Sequence, residues 1–214
     1  MASAPDPDED RPSTPSTAPS PSSPKGTVRR AQILAEMIRL IGEHGVDASS
    51  LRTVASGLGL SQAALRHYFP TRDDLLVAVY REYEEHVVES NDPLLSAVDD
   101  MRASADRNRT VPGLVQLYTA LAAAAVQDGH PVARDFIRAR FRALRAELAD
   151  VIRRDQRQAR LRDDLDAEDL ASLVMAASDG LQVQWLLDPD QVDAERVLRV
   201  LGTIMPASGP RTDQ

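Results

Sequence analysis

Beyond Gly26, apolar residues recur three and four positions apart in every long segment, and no stretch alternates apolar with polar over a strand's length. A side chain returns to the same face of a helix every 3.6 residues and of a strand every two, so the pattern predicts an all-α protein. Val28, Ala31, Leu34, Ile38 and Ile41 mark a first helix that ends around Gly42 to Gly45. Further helices are expected roughly over 49–57, 61–68, 72–90, 93–106, 112–128, 131–158, 167–187 and 192–204. Thr71 with Asp74, and Asp166 with Asp169, have the spacing of a capping box, in which the side chains at the helix start satisfy each other's free N–H groups. Pro93, Pro112 and Pro131 sit at helix starts, where a missing N–H costs little.

The first 24 residues hold seven of the fourteen prolines and no Leu, Ile, Val, Phe, Tyr or Trp. Such a segment cannot bury enough apolar area to offset its chain entropy, and residues 1–26 are expected to be a disordered tail. Charge divides along the chain as well. The overall net charge of -8 resolves into -3 for residues 1–24, +4 for residues 25–72 and -9 for the remainder. A basic block between acidic segments suits a polyanionic partner. With no cysteine in the sequence, a disulfide framework, a thiolate zinc site, an iron–sulfur cluster and a Cys nucleophile are all excluded. The longest apolar run, Leu117 to Val126, is about half of the roughly 20 residues a membrane-spanning helix needs. No secretory or transit signal is visible in residues 1–26, so a cytoplasmic protein without membrane contact is expected.

The basic block contains the most informative stretch, Ser50 to Tyr68. Val54, Leu58, Leu60, Leu65 and Tyr68 can meet in one small core, Ala55 is small where two helices must approach, and Gly59 stands where a tight turn needs positive φ. Ser61 would cap a second short helix whose outward positions, Gln62, Ala63, Arg66 and His67, are short or polar. An apolar back and an exposed polar face are what a helix needs to enter a DNA major groove about 12 Å wide.

From Arg29 through Tyr80 the sequence resembles the DNA-binding domain of the TetR (tetracycline repressor) family of bacterial regulators. The resemblance is carried by Ile33-Leu34, Gly45, Ser49-Ser50-Leu51-Arg52-Thr53-Val54-Ala55, Gly59-Leu60-Ser61, Leu65-Arg66-His67-Tyr68-Phe69 and Thr71-Arg72-Asp73-Asp74-Leu75-Leu76, in that order. Two positions depart from the family pattern: Ala63 replaces a frequent glycine, and Arg66 a frequent aromatic residue. Asp179-Gly180-Leu181-Gln182-Val183-Gln184-Trp185-Leu186-Leu187 is similar to a stretch common near the end of actinobacterial-looking members.

The resemblance implies a helix-turn-helix domain over 27–72, with its motif at about 50–69, then a helical ligand-binding and dimerisation domain over 73–206 and a flexible end at 207–214. It also implies a transcriptional repressor that binds a partly palindromic duplex operator as a homodimer, pairs through its last two long helices and is released by a small-molecule inducer. Candidate DNA contacts are Arg52, Thr53, Ser61, Gln62, Ala63, Arg66, His67, Tyr68, Thr71 and Arg72. Arg52, Thr53, Gln62, Arg66 and His67 are also what a solvated helix face carries, but given the motif, contact with DNA is the favoured reading for them as a class; capping alone would explain Thr71. A basic arm at Lys25, Arg29 and Arg30 could follow the DNA backbone or simply begin a solvated helix. In the second domain Met101, Tyr118, Phe136, Phe141, Gln182 and Trp185 are candidates for a ligand pocket, although isolated aromatics at helical spacing are usually core.

No catalytic residue, metal site or cofactor is expected. Glu82, Glu85, His86 and Glu89 lack the Glu-x-x-His spacing of helical di-metal sites, and capping explains the carboxylates from Asp163 to Asp169. The rival reading is an all-helical carrier or enzyme with a vestigial DNA-binding head, which predicts ligand binding without sequence-selective DNA affinity.

Overall fold

A computed structural model describes residues 23–87, 95–111 and 113–204 of the protein, apart from the side chains at 48 and 85–87. Among these residues the elements are α1 (Pro24–Ala48), α2 (Leu51–Gly57), α3 (Gln62–Tyr68), α4 (Arg72–Val87), α5 (Ala97–Thr110), α6 (Leu114–Ala125), α7 (Pro131–Arg157), α8 (Ala167–Leu187) and α9 (Ala194–Ile204). The all-helical expectation holds. The capping box expected at Thr71 is formed: Asp74 N–H donates to Thr71 Oγ1 at 3.1 Å while Thr71 N–H donates to Asp74 Oδ2 at 2.9 Å. At Asp166 the side chain accepts from Glu168 and Asp169 N–H as an N-cap, without the return bond from Asp169 that a box requires. Pro131 opens α7; the starts expected at Pro93 and Pro112 lie outside the described residues.

Helix α1 departs from the sequence expectation at its start and in its buried face. It begins at Pro24, inside the segment read as tail, because Ser23 accepts the Gly26 N–H at 3.0 Å and Pro24 supplies a pre-set φ. Residues 1–22 of that tail are outside the described residues. Val28 is 60% exposed, and the buried stripe is Ile33, Leu34, Met37, Leu40 and Ile41. The helical path breaks at Gly45 (φ 79°, ψ 172°) and closes one turn later at Ala48. Helix α5 is capped at Ser96, which accepts from Asp99 N–H at 3.1 Å and donates to its carboxylate, and it runs from Ala97.

Among the described residues three apolar clusters hold these helices. The largest joins α1, α2 and α3 to α4, α6 and the first turns of α7, through residues such as Met37, Val54, Leu65, Leu75, Leu117 and Ile137. A second joins α5 to the later part of α7 and to α8 through Val98, Met101, Leu148, Ile152 and Val174. A third packs α9 on α5 and α8 through Ala105, Leu181 and Leu198. Each fully buried Leu or Ile contributes about 1.5–3 kcal/mol, so the helix-turn-helix segment is fastened to α4 and α6 by a shared core. At this junction Gly113, at φ +78°, lets α6 start against α1: a Cβ there would lie 2.4 Å from Ile41 Cγ2 and 3.1 Å from the Ile41 carbonyl oxygen.

Candidate nucleic-acid interface

The motif is built by two serine caps and one turn. Ser50 accepts from Thr53 N–H at 3.1 Å to start α2, and Ser61 accepts from Ala64 N–H at 3.1 Å to start α3. Between them Leu60 N–H reaches Ala55 O at 2.8 Å and Gly59 N–H reaches Ser56 O at 3.2 Å, the paired bonds of a Schellman ending. That ending requires a left-handed residue after the cap, and Gly59 takes φ +63°. Val54, Leu65 and Tyr68 are buried beneath the turn, with Leu58 and Leu60 half-buried against the same core.

With Leu65 and Tyr68 turned inward, α3 shows Gln62, Ala63, Arg66 and His67 to the outside, all exposed, and Ser61 is exposed at its cap. Arg52 and Thr53 are exposed on α2, and Thr71 is exposed at the start of α4. Two candidates sit differently. Tyr68 is only 9% exposed, its ring edge-on to His67 at 5.6 Å between centroids. The Arg72 guanidinium donates to Val46 O at 2.6 Å and to Ser49 O at 3.4 Å, closing the end of α1 onto the start of α4.

No carboxylate occurs between Asp47 and Asp73, so α2 and α3 themselves carry basic side chains and no acidic one. Arg39 belongs to the basic block by sequence but is held between Glu36 and Glu43 on α1. Its hydrogen bond pulls the Glu36 carboxyl below the usual range. Arg30 stacks over Phe69 at 5.2 Å, while Lys25 and Arg29 lie in the first turns of α1. Arg52 and Arg66 make no ion pair among the described residues and remain available to phosphate or base edges.

A cavity of about 490 Å³ opens between α4, α5 and α7, lined by Tyr80, Tyr83, Glu84, Arg107, Phe136 and Arg140 among others. An inner recess of about 60 Å³ adds Met101, Tyr118, Asp179 and Gln182. Thus Met101, Tyr118, Phe136 and Gln182 of the sequence candidates line these spaces. Phe141 packs instead against the first two cores, and Trp185 faces Arg109 at 5.9 Å, away from either space. The polar groups at the seam were missed by sequence reasoning. Tyr118 O–H donates to Asp179 Oδ1 at 3.0 Å, and Arg140, paired with Glu84, lies 5.1 Å from the Tyr80 ring and 5.7 Å from that of Tyr118. Burial pushes the Asp179 carboxyl up, the Tyr118 hydrogen bond and Arg140 opposing, and burial likewise raises Asp100, with Arg107 opposing. One signal could have found Asp179, since it is the sole charge from Leu170 to Leu187. The Glu82–Glu89 constellation is interrupted by side chains outside those described.

Residues 33–79 match the family model described as bacterial regulatory proteins, tetR family, and residues 97–206 match that of the BetI-type transcriptional repressor C-terminal region. The chain is 30% identical over 183 residues to the HTH-type transcriptional regulator PksA of Bacillus subtilis, covering 81% of this chain and 86% of the relative. It is 32% identical over 158 residues to the HTH-type transcriptional repressor Rv1474c of Mycobacterium tuberculosis, covering 72% and 80%. Among solved structures, a transcriptional regulator from Saccharomonospora viridis in complex with choline superposes with a TM-score of 0.66 at 23% identity, covering 85% of this chain and all of the other.

Proposed function

Because the chain belongs to the TetR family of bacterial regulatory proteins, we propose that it represses transcription from a partly palindromic operator as a homodimer and leaves that operator when a small molecule enters the cavity at Tyr80, Tyr118 and Phe136. The observation that carries the DNA half is α3 itself: a serine-capped helix with a buried apolar back, an exposed face of Gln62, Ala63, Arg66 and His67, and no carboxylate nearby in sequence. Arg66, Gln62 and His67 are assigned to base edges or adjacent phosphates, and Arg52, Thr53, Ser61 and Thr71 to setting register on the backbone. Tyr68 acts chiefly as an anchor beneath them. Arg72 acts indirectly, by holding α1 to α4.

Dimerisation is supported by apolar side chains left bare on the last two helices. Leu173, Val183 and Leu187 on α8 are 61, 41 and 81% exposed, and Val200 and Ile204 on α9 are 51 and 61% exposed. A second copy placed on this face would bury them around a two-fold axis, and the operator would carry the same symmetry. Release by a ligand follows by linkage if the ligand prefers an arrangement in which the two heads do not match their half-sites. The choline carried by the Saccharomonospora viridis regulator supports a small molecule in this role. We assign the cavity to regulation and not to catalysis, and the protein to the cytoplasm; among the described residues no helix is long and apolar enough to cross a membrane.

Selection of random duplex DNA by the full chain at about 0.15 M salt tests this reading. The expected pool shows two inverted half-sites centred about 34–36 Å apart or a multiple of that spacing. No enrichment by folded, dimeric protein would overturn it and favour the carrier reading.

A further inference from the structure

Helix α4 starts beside the DNA-binding segment and ends in the cavity wall, and it is tied to α7 at two points. At its start Asp73 Oδ2 lies 2.8 Å from Nδ1 of His130, the residue that precedes α7. Near its end Glu84 pairs with Arg140. Asp73 and Glu84 are eleven residues apart and His130 and Arg140 ten, about 16 and 15 Å along a helix at 1.5 Å per residue. The two helices therefore run in the same direction with both pairs in register. Between the ties Phe136 of α7 meets Tyr80 edge-on at 5.7 Å and carries the Arg81 guanidinium at 5.5 Å. Arg72, next to Asp73, passes the connection on to the end of α1 through Val46 and Ser49.

Of the four tying residues, Glu84 and Arg140 line the outer cavity, and only Arg140 reaches the inner recess as well. Its guanidinium lies within cation–π range of both Tyr80 and Tyr118 while its charge is paired with Glu84. A ring face approached from the cavity holds one partner at a time. We propose that Arg140 is the residue through which cavity occupancy reaches the DNA-binding segment: a molecule seated on the Tyr80 and Tyr118 faces displaces its guanidinium, Glu84 loses its partner, and α4 pivots against α7 about the Asp73–His130 contact. Glu84 is only 34% exposed, so its unpaired carboxylate favours a position of α4 nearer to water. This inference rests on the reading of the cavity as the regulatory site. It adds the positioning residue through which that site acts on α4.

The absence of native cysteine allows a direct test in the full chain. Ser56→Cys on α2 and Asp190→Cys between α8 and α9, both exposed, accept spin labels. Dilution with unlabelled chain leaves only the distance within one protomer. Arg140→Ala and Glu84→Gln are each expected to shift or broaden that distance by about 2 Å or more, with no further change when combined. Arg140→Lys should stay close to the parent distance, as should Arg138→Ala on the exposed side of α7. Unchanged distances in folded Arg140→Ala and Glu84→Gln chains would overturn the proposal, and so would effects that simply add. If Arg140→Ala does not fold, Glu84→Gln, which preserves side-chain shape, decides alone. The measurement needs neither DNA nor a dimer, so failure to select an operator would refute the operator reading while leaving this result intact.

Discussion

Arg66 and Asp179 show two ways in which a single side chain matters here. Arg66 is exposed on α3, pairs with no carboxylate among the described residues and contributes nothing to the core beneath it. Replacing it with Ala is expected to weaken operator binding by about 1–3 kcal/mol and to leave the thermal midpoint where it was, which a binding titration paired with calorimetry would check. Asp179 instead bears on stability. Burial raises its carboxyl above the ordinary value of 3.8, so the folded state holds its proton more tightly than the unfolded chain. The stability this supplies is complete below pH 3.8 and is lost as pH rises through the shifted value. Asp179→Asn, which can still accept from Tyr118, is therefore expected to raise the thermal midpoint at pH 7, with the gain shrinking as the pH falls toward 4. A gain that stayed constant with pH would contradict this account. The sequence made Arg66 legible because a motif fixed its place, whereas Tyr80, Arg140 and Asp179 come together from three helices, and no local spacing announces such a meeting.

At the scale of elements, capping and turn chemistry decided where helices begin and end. Gly59, Ser61, Thr71 and Asp166 were readable because each acts on neighbours within a few residues. Ser61→Ala removes the N-cap of α3 and is expected to cost about 1 kcal/mol in denaturant unfolding, with weaker operator binding as the helix start loosens. The start of α1 was misread because its cap, Ser23, is hidden among similar serines, and because the first apolar residue, Val28, is not on the buried face. The tight approach of α6 to α1 had no sequence signal beyond a glycine. Gly113→Ala combines a positive φ with a contact at 2.4 Å to Ile41 Cγ2, and about 2–3 kcal/mol of destabilisation is expected in the same assay. A loss below about 0.5 kcal/mol would show that α6 can move off α1 at little cost.

For the whole molecule, the helical period and the charge profile gave the class of fold and the basic segment, but one chain does not display the two-fold partner proposed for it. The bare apolar positions on α8 and α9 support the proposed dimer, and Leu187→Asp would place a charge on the most exposed of those on α8. It is expected to leave the monomer folded, to reduce the mass seen by sedimentation, and to abolish tight operator binding, since a single head spans only one half-site. The shared core of α1–α4 and α6 further implies that the DNA-binding segment moves with α4 and not as a bead on a linker. The central claim is that two such segments, held by one dimer, read one symmetric operator. The most direct measurement titrates a selected duplex carrying both half-sites, and a second duplex with one half-site scrambled, while counting chains bound per duplex. The account predicts two chains on the intact duplex and a loss of at least about 4 kcal/mol on the scrambled one, with Leu187→Asp binding both duplexes equally weakly. Equal affinity of the parent chain for the two duplexes, or a single chain on the intact one, would contradict it.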